Sequence, residues 1–329
     1  MLKCMIHKGE AEHLELTLPF LPKLVMNRRL PETLEEAAFS SGAAIVLLQQ
    51  TMMDPALNVP RKLFRKRLAL KAAKNTLKIE RRSADEGAIR DGFLLAEPGS
   101  LENLSQAMGP SGFMYAQWRD HTLLSPKVET FWTHFIGTIP LYTRDTMIEV
   151  TEAEKPECSP VSAVVQALQE VLIVFPKAEM VALQWADITL SMTLGWKHML
   201  PLVGASISSK ELKAFRDGEG TADELLIIAH TAIARSAREA ILLCHDLSRR
   251  AAKLREVAAK LRAKGSDTAV KLFLSEDALT PSSLTSSSMF RTRDLMSPRS
   301  ARRFCDRLVE LGVARELSGR PNFRLYGVA

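Results

Sequence analysis

Residues 297–326 read SPRSARRFCDRLVELGVARELSGRPNFRLY, and this stretch decides how the C-terminal end of the chain folds. Ser297 can accept a hydrogen bond from a free amide in a first helical turn, and Pro298 suits the first helical position, where no amide donor is needed. Gly312 supplies the left-handed residue that commonly ends a helix. Between these signals the apolar residues recur at three- and four-residue spacing, which predicts an amphipathic helix with one buried face. They are Ala301, Phe304, Cys305, Leu308, Val309 and Leu311.

Two segments typical of strands follow this helix directly. Residues 313–317 and 322–326 are rich in branched and aromatic side chains, and the SGRP sequence of 318–321 is typical of a turn. A capped basic helix followed by a short hairpin is the arrangement of a winged-helix DNA-binding module. In that arrangement the helix enters the major groove, and the tip of the wing lies along the phosphate backbone.

The charge of this segment favours a nucleic-acid partner. Residues 291–329 contain nine arginines, no lysine and four acidic residues, so they account for +5 of the chain's net charge of +6. The planar guanidinium of arginine suits bidentate contact with phosphate or guanine, so arginine without lysine indicates more than simple solubilisation. The helix residues are expected to face base edges or phosphates, and the hairpin residues to hold the backbone. The predicted DNA-binding residues are Arg299, Arg302, Arg303, Asp306, Arg307, Arg320 and Arg324.

Composition predicts a large helical body ahead of this segment. The chain has 329 residues, 46% apolar and only 6% aromatic, and alanine and leucine dominate, which favours helices. The predicted fold class is all-α, with a multi-helix bundle body and a C-terminal winged helix-turn-helix that carries a short β-hairpin wing. The predicted divisions are an irregular N-terminal segment at 1–30, a helical body at 31–264 and a winged-helix domain at 265–329.

Within the body, apolar periodicity predicts helices and connectors in alternation. Residues 96–112 are predicted to be a connector, 138–150 a strand or loop, and 201–220 a loop with one helical turn near Glu211. The predicted helices cover residues 31–53, 59–82, 85–95, 125–137, 161–175, 179–200 and 222–263.

The last of these predicted helices carries a heptad stripe with a period of 3.5 residues. Such a stripe forms either the seam of a dimer or the central helix of an intramolecular bundle, and we favour the bundle because buried bundle helices are common. The stripe consists of Ile233, Ala237, Ala240, Cys244, Leu247, Ala251, Leu254, Ala258 and Leu261.

The predicted helix at 59–82 is strongly basic. Between Arg61 and Arg82 there are ten basic residues and one acidic residue, Glu80. This charge could form a second nucleic-acid face that adds non-specific affinity. The alternative, which we favour, is a solvated charged face whose long side-chain stems cover part of the core.

The cysteines and the hydropathy of the sequence predict where in the cell the protein is located. Cys4, Cys158, Cys244 and Cys305 lie far apart without metal-ligand spacing, and the last two occupy apolar helix faces, so they are predicted to be packing residues. The chain contains no run of eighteen apolar residues, and its first ten residues lack a signal-peptide pattern. The expectation is a cytoplasmic protein that makes no contact with a membrane.

Several blocks of the sequence resemble a family of uncharacterised alphaproteobacterial, mainly rhizobial, proteins, Domain of Unknown Function 1403. The first blocks are EAAFSSGAA (36–44), RLALKAA (67–73) and DEGAIRD (85–91). The others are LRAKG (261–265), SARR (300–303), RELSGR (315–320) and FRLYG (323–327). The resemblance implies an all-helical body with a tail like a helix-turn-helix, and it implies no particular activity.

The sequence contains no recognised catalytic motif. A phosphate-binding glycine loop, an HExxH pair and a nucleophile elbow are all missing, so we predict a non-enzyme without catalytic residues, cofactor or metal. The first functional hypothesis is a regulator, transcriptional or plasmid-associated, that binds double-stranded DNA through its winged tail, with a homodimer as one form that it could take. The alternative is a non-enzymatic helical interaction protein whose tail docks on a protein partner of the chromosome-segregation or condensation type.

Overall fold

The structure is a computed structural model that describes residues 30–96, 101–152, 158–261, 265–285, 296–318 and 323–329. Within these ranges the chain is mostly helical, and a two-stranded antiparallel sheet lies near the C-terminus. The prediction of a mostly helical protein is therefore confirmed.

The helices of the body are followed along the chain by the elements of the C-terminal end. In the body they are α1 (Leu34–Met53), α2 (Arg61–Ile79), α3 (Glu86–Leu94), α4 (Leu101–Leu123), α5 (Glu129–Thr138), α6 (Leu141–Glu152), α7 (Pro160–Leu172), α8 (Glu179–Thr193), α9 (Ser209–Asp217) and α10 (Ala222–Lys260). After the body come α11 (Ser266–Phe273), a 3-10 helix (Pro281–Leu284), α12 (Pro298–Glu310), β1 (Ala314–Glu316) and β2 (Tyr326–Val328).

Local sequence signals place many of the helix starts. A side-chain oxygen at the residue before the helix accepts a backbone amide of the first turn, which satisfies a donor that the helix itself leaves free. In α9 and α10 a glutamate three residues on completes a reciprocal capping box. The capping residues are Thr33, Asp85, Ser159, Ser208, Thr221 and Ser297.

Three predicted non-helical stretches proved wrong. The connector at 96–112 contains the first half of α4, which is interrupted at Gly109 (φ 62°) and resumes at Pro110. The strand or loop at 138–150 is α6, because tertiary packing buries Met147 and overrides the strand preference of its branched residues. The single turn near Glu211 is the nine-residue helix α9, which its capping box stabilises.

Eight of the nine residues of the heptad stripe are buried on α10 within the single chain, so the prediction of an intramolecular bundle helix is confirmed. Leu261, which follows the helix, is half-buried. The partner is α1, which packs along α10. The Ser41 hydroxyl lies 2.7 Å from His230 Nδ1, and the Ser248 hydroxyl donates to the Leu57 carbonyl. Alanines on both helices allow this close packing. The predicted packing role of Cys244 is also confirmed, and burial raises the pKa of its thiol to about 12.

The loop at 200–207 is the polar centre of the body. The Asn75 amide donates to the carbonyls of Gly204 (2.9 Å) and Ile207 (2.8 Å). From the other side, the buried Asp187 carboxylate accepts the amides of Val203 and Gly204, each at 2.8 Å. Burial raises the pKa of Asp187 to about 8, although these amides act in the opposite direction.

Trp118 also packs against this loop. Its ring lies fully buried against Gly204, and its indole nitrogen donates to the Thr76 hydroxyl at 3.1 Å. The loop is thus fixed by α2, α4 and α8 together, and it forms a rigid base beneath the exposed side of α2.

Candidate nucleic-acid interface

The amphipathic helix predicted after Ser297 is α12. The Ser297 hydroxyl accepts the Ser300 amide at 3.3 Å, as the sequence predicts for a cap. Ala301, Phe304, Cys305 and Leu308 are buried against the 3-10 helix and β1. Burial raises the pKa of the Cys305 thiol to about 12, which agrees with its predicted packing role.

The opposite face of α12 presents arginines to solvent. Arg299, Arg302 and Arg303 are exposed, and none has an acidic partner within 4 Å among the residues that the structure describes. Arg307 is also exposed, but it pairs with Glu310 at 2.8 Å. Three guanidinium groups on one helix face are therefore available for a ligand.

Two other predicted site residues connect α12 to the hairpin. They are Asp306 and Arg324. The Tyr326 hydroxyl donates a hydrogen bond to Asp306 Oδ1 at 2.9 Å. The Arg324 guanidinium lies 3.6 Å from the same oxygen and 3.9 Å from the Glu316 carboxylate. Asp306 and Arg324 therefore link α12 to the hairpin. Burial is the main cause that raises the pKa of Tyr326 to about 12. Arg320 lies outside the described residues.

The hairpin differs from the prediction in its returning strand. We predicted that strand at 322–326, but β1 pairs with 326–328, in the register Ala314–Val328, Arg315–Gly327 and Glu316–Tyr326. The reason is burial, because Leu325, Tyr326 and Val328 pack inward whereas Phe323 and Arg324 are exposed. Leu279 also pairs with Tyr326 through two backbone hydrogen bonds of 2.9 Å, which adds a third extended segment beside the hairpin.

A buried ion-pair cluster joins this C-terminal unit to the body. Asp277, only 3% exposed, binds the guanidinium groups of Arg67 on α2 and Arg90 on α3. Arg90, 5% exposed, also pairs with Glu86 at 3.1 Å, which is the helical ion pair expected for this spacing. Desolvation opposes the charged form of Arg90, but the two carboxylates outweigh it and raise its pKa.

A second carboxylate of the same loop continues the cluster. Glu276 lies 2.5 Å from Lys66 Nζ and 3.6 Å from Arg119. Burial lowers the pKa of Lys66 to about 8. The predicted solvated face on this basic helix is therefore wrong at Lys66, which is buried, and holds for exposed positions such as Lys74 and Lys78. The sequence offered no sign of the Asp277 pairing, because its partners lie almost 200 residues earlier.

The family described as "Protein of unknown function (DUF1403)" matches residues 11–328, which include both the helical body and the C-terminal unit. The chain belongs to this family. The resemblance inferred from the sequence blocks is thus confirmed. No curated protein matches the chain significantly.

Two polar residues of this DUF1403 protein, His121 and Asp246, have close partners within the fold. His121 is fully buried beside Phe131 and Phe135, and burial lowers its pKa to about 3, so its ring is neutral. Asp246 pairs with Arg249 and Arg250 on its own helix. In the described ranges of the DUF1403 chain, every helix is too short or too polar to cross a membrane.

Proposed function

We propose that the protein binds double-stranded DNA through α12 and the adjoining hairpin, as a winged helix. The order of elements supports this proposal: α11, the extended segment at Leu279, the 3-10 helix, α12, and then β1 and β2. A winged helix has the same order of helix, strand, two helices and hairpin. The observation that carries the proposal is the set of three exposed arginines without acidic partners on α12.

The spacing of these arginines suits a phosphate backbone or a row of base edges. Arg299, Arg302 and Arg303 stand at helical positions i, i+3 and i+4, so they share one face over about one turn, or roughly 6 Å. The bonds from Asp306 to Tyr326 and Arg324 hold the hairpin in a fixed position beside this face. Such preorganisation limits the entropy that is lost on binding.

The function class we propose is a regulator, either transcriptional or plasmid-associated. Because its target would be DNA, we propose that the protein is located in the cytoplasm. The large helical body is then available for a second protomer or an effector. One observation favours the alternative role of protein docking, because the Phe323 side chain on the hairpin is 60% exposed. An exposed aromatic residue of this kind is frequent in protein interfaces.

The test is the affinity of the full chain for mixed-sequence duplex DNA, measured by fluorescence anisotropy across a range of salt concentrations. Replacing Arg299, Arg302 and Arg303 together with alanine is expected to weaken binding about 100-fold at physiological salt. The slope of log K against log salt should become shallower by about 2 to 3, because each lost phosphate contact removes about 0.9.

The matched control replaces Lys177, Lys197 and Lys210, three exposed lysines of the body, with alanine. It removes the same charge and should leave the salt slope unchanged. Absence of duplex binding by the wild-type chain at low salt would refute the DNA proposal, and so would equal losses in the two triple variants. If Phe323→Ala abolishes capture of a protein partner while the arginine variant retains it, the docking role is supported instead.

A further inference from the structure

A basic groove runs along the exposed side of α2. The start of α3, the middle of α10 and Ala205 complete its walls, and they enclose about 840 Å³. We call this cavity the α2 groove. Two acidic residues, Glu86 and Glu239, also line it. Its six basic residues are Arg67, Lys71, Lys74, Lys78, Arg81 and Arg82.

The α2 groove has an apolar part, which we call its floor. Leu68, Leu70, Leu243 and Ala205 line it. Asn75 also lines the groove, and its amide donates to two carbonyls of the loop at 200–207. A concave site with an apolar floor and a charged rim suits a compact ligand that has both an organic part and an anionic part.

The positive charges of the groove are only partly neutralised. Lys71 pairs with Glu239, Lys74 lies 3.9 Å from Glu86, and Arg82 lies 3.6 Å from Glu80. Arg67 is already bound to Asp277. Lys78 and Arg81 have no acidic partner within 4 Å among the described residues. An anion that enters the groove would therefore meet unpaired cations close to weakly paired ones.

Arg81 occupies a backbone conformation that favours glycine. Its φ is +59°, and it follows the end of α2, where the Arg82 amide donates to the Leu77 carbonyl at 2.8 Å. This is the bonding of a Schellman motif, whose left-handed residue is usually glycine. An arginine there is strained, yet it places a guanidinium group on the rim of the α2 groove.

We propose that the α2 groove binds a small ligand that carries two or more phosphate groups, with its organic part on the apolar floor. Lys74, Lys78 and Arg81 would hold the phosphates. A DNA duplex presents its phosphates on a convex surface, so the concave groove fits a compact polyphosphate better than a duplex. The proposed site shares no residue with the arginines of α12 and stands independently of the DNA proposal.

The experiment titrates the full chain with ATP, AMP and inorganic tripolyphosphate by isothermal calorimetry, without Mg²⁺ and at about 150 mM salt. ATP and tripolyphosphate should bind, and AMP should bind at least about tenfold more weakly. Stronger binding of ATP than of tripolyphosphate would show that the apolar floor contributes. Replacing Lys74 and Lys78 together with glutamate should weaken ATP binding by about 30-fold or more.

The matched control replaces Lys177 and Lys210 with glutamate, which changes the net charge equally and should alter ATP affinity by less than about twofold. Circular dichroism checks that both variants fold. Failure of ATP and tripolyphosphate to bind the wild-type chain would overturn the proposal, and so would equal losses in the two variants. If mixed-sequence duplex displaces ATP from the variant that lacks the three α12 arginines, the groove is a nucleic-acid site instead.

Arg81→Gly separates ligand binding from structure in one variant. Glycine relieves the backbone strain, so the midpoint of thermal unfolding should rise by about 2 °C. The same change removes a phosphate-binding cation and should weaken ATP binding by about fivefold. A higher melting temperature with unchanged ATP affinity would show that Arg81 makes no contact with the ligand.

Discussion

Replacement of Asp277 by alanine is expected to lower the free energy of unfolding by about 3 to 5 kcal/mol. Asp277 is buried and binds two guanidinium groups, those of Arg67 and Arg90. Its removal leaves Arg90, which is 5% exposed, with the half-exposed Glu86 as its one acidic partner among the described residues. A buried charge without full compensation costs much more than the net contribution of the original pair.

Urea unfolding followed by circular dichroism measures this loss. Glu219→Ala, at an exposed residue that pairs with the exposed Lys213, is the control and should change the free energy by less than about 0.5 kcal/mol. Adding Arg90→Met to the Asp277 variant should restore part of the stability, because removal of both partners leaves one fewer uncompensated charge. A loss below about 1 kcal/mol in Asp277→Ala would contradict the buried cluster.

Gly204→Ala is expected to destabilise the protein by about 3 kcal/mol, at the upper end of overpacking effects. A Cβ atom at this position would stand 2.7 Å from Trp118 Cζ2 and 3.1 Å from Asp187 Oδ2. The Trp118 ring is fully buried and bonded to Thr76, so it cannot move aside easily. The loop is also held by Asn75 and Asp187, which prevents it from shifting outward.

Thermal and chemical unfolding of this variant should be compared with Gly42→Ala. Gly42 lies on the exposed face of α1, and a Cβ atom there meets nothing within 4 Å. That control should stabilise the helix by about 0.5 to 1 kcal/mol. The same substitution therefore changes the free energy of unfolding in opposite directions at the two sites. In a Trp118→Phe background the smaller ring should reduce the cost of Gly204→Ala. Equal costs in both backgrounds would argue against the contact with Trp118.

The parts of the fold that were predicted correctly depend on nearby residues. Capping side chains such as Ser297 and Thr221 act within three residues, and the apolar period of α10 lies within one helix. Residues 138–150 show the limit of this reasoning. Their branched side chains favour a strand locally, and only packing in the folded chain makes them helical.

The candidate interface shows the same limit. The exposure of Arg299, Arg302 and Arg303 could be predicted, because the apolar residues of α12 define the opposite face. The bond from Tyr326 to Asp306 could not be predicted, since it depends on the register of the hairpin. The sequence alone also could not reveal the pairing of Asp277 with Arg90, which joins residues 187 positions apart.

The packing of α1 on α10 has a consequence for synthesis on the ribosome. Ser41 and His230, which join the two helices, are 189 residues apart. At about 5 to 20 residues per second, α1 emerges roughly 10 to 40 s before its partner has been made. During that interval its apolar face, including Ala44, Ile45 and Leu48, lacks the surface that α10 provides in the folded chain. The nascent chain therefore needs temporary shielding of α1, by a chaperone or by non-native collapse, until α10 has been translated.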